Sequence, residues 1–503
     1  AYACVRNWEV SGMSDDRSFD QMVEEGMSAV PPPAEVLDEI TPWKRALRRV
    51  VWGVGLTTIL IHFLWLQYLL PPAGLMLMWL GFRTLRRENG WFALGWAISL
   101  YRVMGQFFRL LANATLLRIE GTPTWMYLTL LIPLLQYICL WQGIRAVQRK
   151  AGQEQRAGAA GALVVFYLLL TGLAFLDAEG WPMLLVLLVC YIALLRNLAR
   201  LANLLDGAGY EVNAAPVRLS DRTVCLSWLG ALLVCLPLAT LLFGRFPMEW
   251  VPRPAGEQTG WEETAAHLLD LGVPEDVTSD LAPEDLADCA ESIRAVVEQR
   301  EFPMNKGREV RETVGNSTHI SRVYDVYELR LTSVALELPD GRWKVIQHFL
   351  WQEEPKVRGT ESIRLQIAAI TAESQYAAWE EYPTEFSGRL LYDREGQTFT
   401  GEYTSLGWDE YTSRGFSFGP NLQRDMSAQF SLPLWGENCR GYVSYVGGKG
   451  EDKIYFLSQM DYTHQNSWLC YPLLSAWEHR QIHLFDDETF KTVQMDLMAG
   501  PED

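Results

Sequence analysis

The sequence predicts a multi-pass α-helical membrane domain of about seven spans followed by an extracytoplasmic α+β domain, mainly an antiparallel β-sandwich. Three observations predict it. Apolar segments recur between Val50 and Phe243. Nearly every Lys and Arg between them falls in alternate connections, as the positive-inside bias of membrane proteins requires. Beyond Gly244 the hydrophobic period shortens to two, the period of strands.

Charge divides the 503 residues in the same way. Residues 1–43 hold 2 basic and 9 acidic side chains, residues 44–244 hold 18 and 8, and residues 245–503 hold 23 and 44. The expected domains are an acidic cytoplasmic tail (1–43), a transmembrane helical domain (44–244), an extracytoplasmic helical neck (245–305) and an extracytoplasmic β-rich domain (306–503). The acidity of the last half excludes nucleic acid and anionic lipid as its partners, because both would be repelled.

The first twelve residues lack a methionine, and Met13 is expected to be the true start. In the tail, Phe19, Met22, Val23 and Met27 recur at helical spacing among acidic residues, and Pro31-Pro32-Pro33 ends the run. Such a short amphipathic helix ahead of a membrane anchor suits the docking of a soluble partner. Thr41-Pro42 is an N-cap and first-turn proline for the first span.

A spanning helix needs about 20 mostly apolar residues. Val50–Leu70, Trp91–Leu111, Trp125–Ile144 and Val224–Phe243 meet this, while Ala159–Leu176 and Trp181–Leu195 are shorter but strongly apolar. Pro71–Phe82 is the weakest segment and reads as a crossing or a re-entrant stub. Charge favours the crossing: Lys44 to Arg49, Arg83 to Arg87, Arg145 to Arg156 and Arg196 to Arg222 then share one side, with the N-terminus cytoplasmic. The third span carries Arg102, Gln106, Arg109 and Asn113 at spacings of four, three and four, one helical face. Charge at this depth is costly. It marks an anion site in the bundle, or it pairs with His62, Gln67, Gln136 or Asp177 of neighbouring helices.

After the membrane part, Trp261–Leu271 and Pro283–Gln299 are expected as helices, the second on Leu286, Cys289, Ile293 and Val297. Strands come next. Tyr327, Leu329 and Leu331 alternate with polar residues, then Val334, Leu336 and Leu338 take the other parity, which predicts a bulge near Thr332–Ser333. Asp340-Gly341 predicts a hairpin turn, with others at Asp393–Gly396 and Gly447–Asp452. Met426, Ala428, Phe430, Leu432 and Leu434 mark another strand, and Leu473–Phe485 a late helix.

Specific chemistry is sparse. His479 and His483 are four apart, but E-H-R-Q-I-H misplaces the glutamate of a zincin helix, so they are weak metal candidates. Asp461, His464 and Asn466 in DYTHQN suit a loop. Cys439 and Cys470 both fall in the β-rich part and form the expected disulfide. No nucleotide-binding or nucleophile motif occurs, and no cofactor is implied.

The expected function is therefore a cell-membrane protein, bacterial in architecture, whose outer β-domain binds a ligand or protein without catalysis. Its tail would dock a cytoplasmic regulatory protein, anti-sigma-like by architecture alone. Two other classes compete. One is a membrane-embedded enzyme or transporter using the Arg102/Arg109 face. The other is a metal-dependent extracytoplasmic hydrolase.

Overall fold

In a computed structural model of the chain, residues 42–58, 65–118, 123–152, 154, 157–176, 181–207, 213, 215–216, 218–314, 317–371, 376–377, 383–413, 421–447, 454–482 and 489–500 are described. By internal contacts the chain forms two units, Ala1–Leu110 with Glu120–Leu232, and Leu111–Ile119 with Leu233–Asp503.

The amino-terminal half is helical: α1 (Pro42–Thr58), α2 (Leu66–Leu85), α3 (Gly90–Ala112), α4 (Pro123–Lys150), α5 (Gly158–Phe175), α6 (Trp181–Gly207) and α7 (Asp221–Phe243). Three stretches, Tyr127–Lys150, Pro182–Leu201 and Asp221–Phe243, are long and apolar enough to cross a membrane. The first break differs from expectation. A break lies at Trp65, whose left-handed backbone (φ 63°) precedes α2, and Pro71–Phe82 lies inside α2. Hydropathy could not place this break, because the residues around it are as apolar as the helices they join.

Helices α1 and α2 pack closely. A Cβ on Gly53 would stand 2.5 Å from the Gly74 carbonyl oxygen, and one on Gly74 would stand 2.8 Å from that of Gly53. Glycine at both positions lets the two backbones touch. At one end of this unit Asp221 joins Arg49 at 2.6 Å, and Glu88, buried, accepts from Lys150 at 2.9 Å and from the Asn213 amide at 2.8 Å. Along the helices, by contrast, large apolar side chains stay uncovered, among them Val189 (66 %), Leu233 (67 %) and Leu241 (77 %).

The other half is antiparallel β. One seven-stranded sheet runs in the order β1 (Trp250–Pro252), β10 (Gln397–Gly401), β9 (Phe386–Arg394), β13 (Glu437–Gly447), β6 (Trp343–Trp351), β5 (Leu329–Glu337), β2 (Arg294–Phe302). A second holds β11 (Ser405–Ser413), β12 (Asn421–Phe430), β7 (Glu361–Thr371), β14 (Ile454–Gln465) and β15 (Phe490–Ala499), with β8 (Tyr376–Ala377) on β7. β3 (Arg308–Val314) and β4 (Ser317–Val323) form a separate hairpin. Inward side chains of both sheets, such as Val345, Phe349, Leu365, Phe430, Val443 and Tyr462, make one core, the hallmark of a sandwich.

Short helices α8 (Glu262–Asp270), α9 (Glu275–Asp280) and α10 (Pro283–Cys289) cover the outer face of the larger sheet, where Leu268, Val277, Leu281 and Leu286 meet Val334, Leu336, Ile346 and Tyr442. The segment expected as a neck is therefore a third layer of the head. The helix expected to run from Pro283 to Gln299 stops at Cys289, and Arg294–Phe302 is a strand, because Val296 and Val297 pair across to Ala335 and Val334. Cover by helices also removes the expected bulge. β5 keeps one register with both neighbours, and its two parities are both apolar because both faces are buried. The turn at Gly341 (φ 83°) joins β5 to β6, and Glu395 and Gly396 (φ 54° and 80°) join β9 to β10. Between Gly447 and Ile454 the chain changes sheets instead of making a hairpin: β13 pairs with β6 and β9, and β14 with β7 and β15. The late helix is α11 (Ala476–Ile482).

Candidate functional site

The polar groups of the head fall into two sets. The first lies between the short helices and the larger sheet. Lys344 Nζ, 2 % exposed, sits 2.8 Å from Asp285 Oδ1 and 2.8 Å from Asp288 Oδ2. Asp285 also accepts from Ser387 (2.6 Å), Ser444 (2.7 Å) and Tyr442 (2.6 Å). Beside it, Asp280 joins His348 Nε2 at 2.9 Å and Arg440 at 2.9 Å, and Arg389 pairs with Glu257 at 2.8 Å. Burial penalises the Asp280 and Asp285 carboxylates, yet their cationic neighbours outweigh it and hold both below the usual range. Burial likewise opposes the Lys344 charge, and Asp285 overcomes it and raises the amine. These bonds fasten α9 and α10 to the sheet, with His348 Nδ1 left without a hydrogen-bond partner among the described residues. Among these groups Asp288 alone is exposed, at 54 %.

The second set borders a cleft, although His464 itself is only 2 % exposed. A concavity of about 620 Å³ opens at one end of the sandwich, lined by the 304–308 turn, by Trp351 and the following 353–357 segment, and by His464 and Asn466. Its base is set by strand register: β14 places His464 directly opposite Glu361 of β7, and Nδ1 lies 2.7 Å from Glu361 Oε1. The imidazole also meets the Trp351 ring edge to face at 4.9 Å, and Trp351 Nε1 donates to the Tyr462 hydroxyl at 3.0 Å. Glu361 is fully buried, and its Oε2 finds no hydrogen-bond partner among the described residues. Burial pushes its carboxyl above the ordinary range, with His464 pulling the other way without cancelling the effect. A carboxylate bonded to one ring nitrogen fixes the orientation of the imidazole.

The wall of the cleft is built rigidly. Asn305 Nδ2 and the Met304 amide both donate to Glu328 at 2.6 Å, and Gly307, in a left-handed turn (φ 65°), donates to Asn305 Oδ1 at 2.7 Å. Glu354 accepts from the Cys439 amide and pairs with Arg358. Lys356 is exposed at the rim, and among the described residues no carboxylate pairs with it. The cleft lining thus combines a buried, oriented imidazole and Asn466 with charges of both signs, Lys306, Arg308 and Lys356 against Asp325, Glu328, Glu353 and Glu354.

Sequence-predicted positions fare differently. Arg102 donates to Gln136 Oε1, and Gln136 donates to Ser99 at 2.6 Å, so its partner is one of the four foreseen. Arg109 and Gln106 take no part, Arg109 being exposed, and Asn113 belongs to the other unit, where its carbonyl accepts from Leu473 at 2.7 Å. His479 is buried and stacks on Phe490 at 4.3 Å, which explains its presence as packing. Among the described residues no group of three His, Cys, Asp or Glu could hold a metal ion. Cys439 and Cys470 carry unbridged thiols; Cys439 lies buried within β13, where burial raises its thiol, and Cys470 Sγ lies 3.2 Å from the Pro472 carbonyl. Phe19, Met22, Val23, Met27, His62, Asp177 and His483 lie outside the described residues.

Asp461, expected in a loop with His464, is in β14 and holds Arg480 at 3.0 Å and Arg364 at 3.6 Å. The pattern that would have found the Glu361–His464 pair is parity. Phe456, Met460, Tyr462 and His464 share one face of their strand, and Glu361, Ile363, Leu365 and Ile367 share one face of theirs. A glutamate and a histidine ending two core-facing series face the same interior.

The chain matches no protein-family model, no curated protein and no solved structure.

Proposed function

We propose that this is a seven-span membrane protein whose outer β-domain binds a small polar ligand, without catalysis, in the cleft floored by His464. The single observation that supports the binding role is that cleft: Glu361 orients the His464 imidazole at its base, and charged side chains of both signs, Lys356 and Glu353 among them, line it. Apolar side chains left uncovered on α4 to α7 support insertion, since such a surface is stable only against lipid or another protein. The basic residues that flank alternate helix ends support a cytoplasmic amino terminus and an outer head. The acidic tail, with its amphipathic spacing, is the element assigned to a cytoplasmic regulatory protein. A Met13–Trp43 peptide that retrieves no specific partner from lysate removes that assignment.

Two measurements test the rest. In intact cells a cysteine placed at Glu395, in the exposed β9–β10 turn, is alkylated by a membrane-impermeant maleimide, whereas one at Arg200 is labelled only after lysis. The reverse pattern refutes the topology. The full chain in detergent is then titrated with a panel of neutral sugars, sugar acids, amino acids and small dicarboxylates, following tryptophan emission. Saturable binding that is lost in His464→Leu and weakened in Lys356→Ala supports the cleft. Binding that both variants retain unchanged places the ligand elsewhere.

A further inference from the structure

We propose that the helical half holds one anionic lipid in a groove between α1, α2 and α6, an inference that rests on membrane insertion of these helices. The groove measures about 660 Å³ and is apolar for most of its length, with Gly55, Leu56, Leu70 and Leu195 among its walls. Its cations are Lys44 and Arg48 in the first turns of α1 and Arg196 on α6. Lys44, Arg48, Trp52, Gly55 and Leu56 share one face of α1, and Ile192, Leu195, Arg196, Ala199 and Asn203 one face of α6. Gly55 is seven residues beyond Arg48, so the groove extends roughly 10 Å past Arg48 at 1.5 Å per residue, with Arg196 following Leu195 along α6.

Charge selects the occupant. Arg48 and Arg196 are exposed, and among the described residues no carboxylate pairs with either. Elsewhere in the same unit basic side chains do find acids, Arg49 and Arg83 on Asp221 and Lys150 on Glu88. Two guanidiniums left without an acid at the mouth of an apolar groove match a molecule with an anionic head and a hydrocarbon tail. Basic pockets between membrane helices on the cytoplasmic side take lipid headgroups on this physical basis. Glycine at position 55 keeps the groove open: a Cβ there would come within 3.3 Å of Leu195 Cδ1.

The test uses the full chain in nanodiscs of phosphatidylcholine with or without phosphatidylglycerol of equal chain length, with retained lipid counted by native mass spectrometry. The wild type is expected to retain one phosphatidylglycerol in preference to phosphatidylcholine, with affinity falling about fivefold for each of Arg48→Gln and Arg196→Gln. Arg87→Gln, outside the groove, leaves retention unchanged. Gly55→Leu abolishes it with both arginines in place, which guards against a charge variant that fails to fold. Equal retention of the two lipids, or retention by the double arginine variant equal to the wild type, overturns the proposal. So does inorganic phosphate that binds as tightly as phosphatidylglycerol. Carbonate washing of native membranes separates the two levels. A chain that is stripped off refutes membrane insertion and the lipid site together, whereas a chain that stays while the variants behave as wild type refutes the lipid site alone.

Discussion

Replacing Lys344 by methionine should cost the head about 3–5 kcal/mol, the range for removing one partner of a buried ion pair. The structure says why the cost belongs there. Lys344 is 2 % exposed and Asp285 4 %, so neither charge can turn to water, whereas Asp288 at 54 % can. In Lys344→Met the Asp285 carboxylate keeps three hydroxyl donors, Ser387, Ser444 and Tyr442, which places the loss toward the lower end of that range. Adding Asp285→Asn removes the stranded charge, and the pair of substitutions should cost less than their sum by about 0.5–3 kcal/mol. The assay is urea unfolding of the full chain in mild detergent, followed by near-ultraviolet circular dichroism. Arg342→Ala serves as the comparison, since its partner Asp340 is half-exposed and such pairs contribute about 0–1 kcal/mol. The pH dependence carries a sign. Asp285 is lowered by its partners in the fold, so its contribution is present above about pH 4 and disappears as pH falls through the folded value. Lys344 is raised, so its contribution is present below about pH 10 and disappears as pH rises through the folded value. The gap between wild type and Lys344→Met should therefore be flat between those limits and close beyond them. A variant within about 1 kcal/mol of wild type at neutral pH, or a strictly additive double variant, refutes the account.

Two further outcomes concern the head. Glu361 has its folded pKa raised by burial, so its contribution is fully present below the unfolded value near 4.3 and is lost as pH rises through the folded one. Glu361→Gln should gain on wild type in melting temperature from pH 4 to pH 8, and a gain that shrinks with pH contradicts the assignment. Gly388 has φ 153°, and a Cβ there would lie 2.2 Å from the Tyr442 carbonyl oxygen, so Gly388→Ala must distort the β9–β13 pairing. Strain of this kind costs roughly 1–3 kcal/mol, read as a lowered urea midpoint, and an unchanged midpoint counts against that close approach of the two strands.

Periodicity along the chain carried much of the fold. The change from long apolar runs to alternation after Gly244 announced helices followed by strands, and Asp340-Gly341 announced the β5–β6 turn. These are local properties, written in the spacing of apolar residues and in the few residue types that accept a left-handed turn. What periodicity could not carry is which surfaces cover which. The two apolar parities of β5 looked like a bulge because its outer face is covered by α8 to α10, which precede it by some forty to sixty-seven residues, and its inner face by the second sheet. The run from Pro283 to Gln299 looked helical because period alone cannot show that Val296 and Val297 have strand partners in β5.

The candidate site divides in the same way. Arg102 was legible as a polar group needing a partner, since its cost in an apolar helix is a property of the residue, but Gln136 as that partner required the packing of α3 against α4. His464 was visible only as one residue of DYTHQN. Its role depends on a register that sets it opposite Glu361, more than a hundred residues earlier, and on Trp351 from the other sheet. Arg48 and Arg196 are likewise ordinary basic flanks in the sequence, and they share a groove only because α1 and α6 meet. The sequence by itself determined where the chain is apolar, charged and alternating, because those are properties of neighbouring residues. Which distant side chains share a cleft was decided by tertiary structure alone, because burial and pairing are properties of surfaces that exist only once the chain has folded.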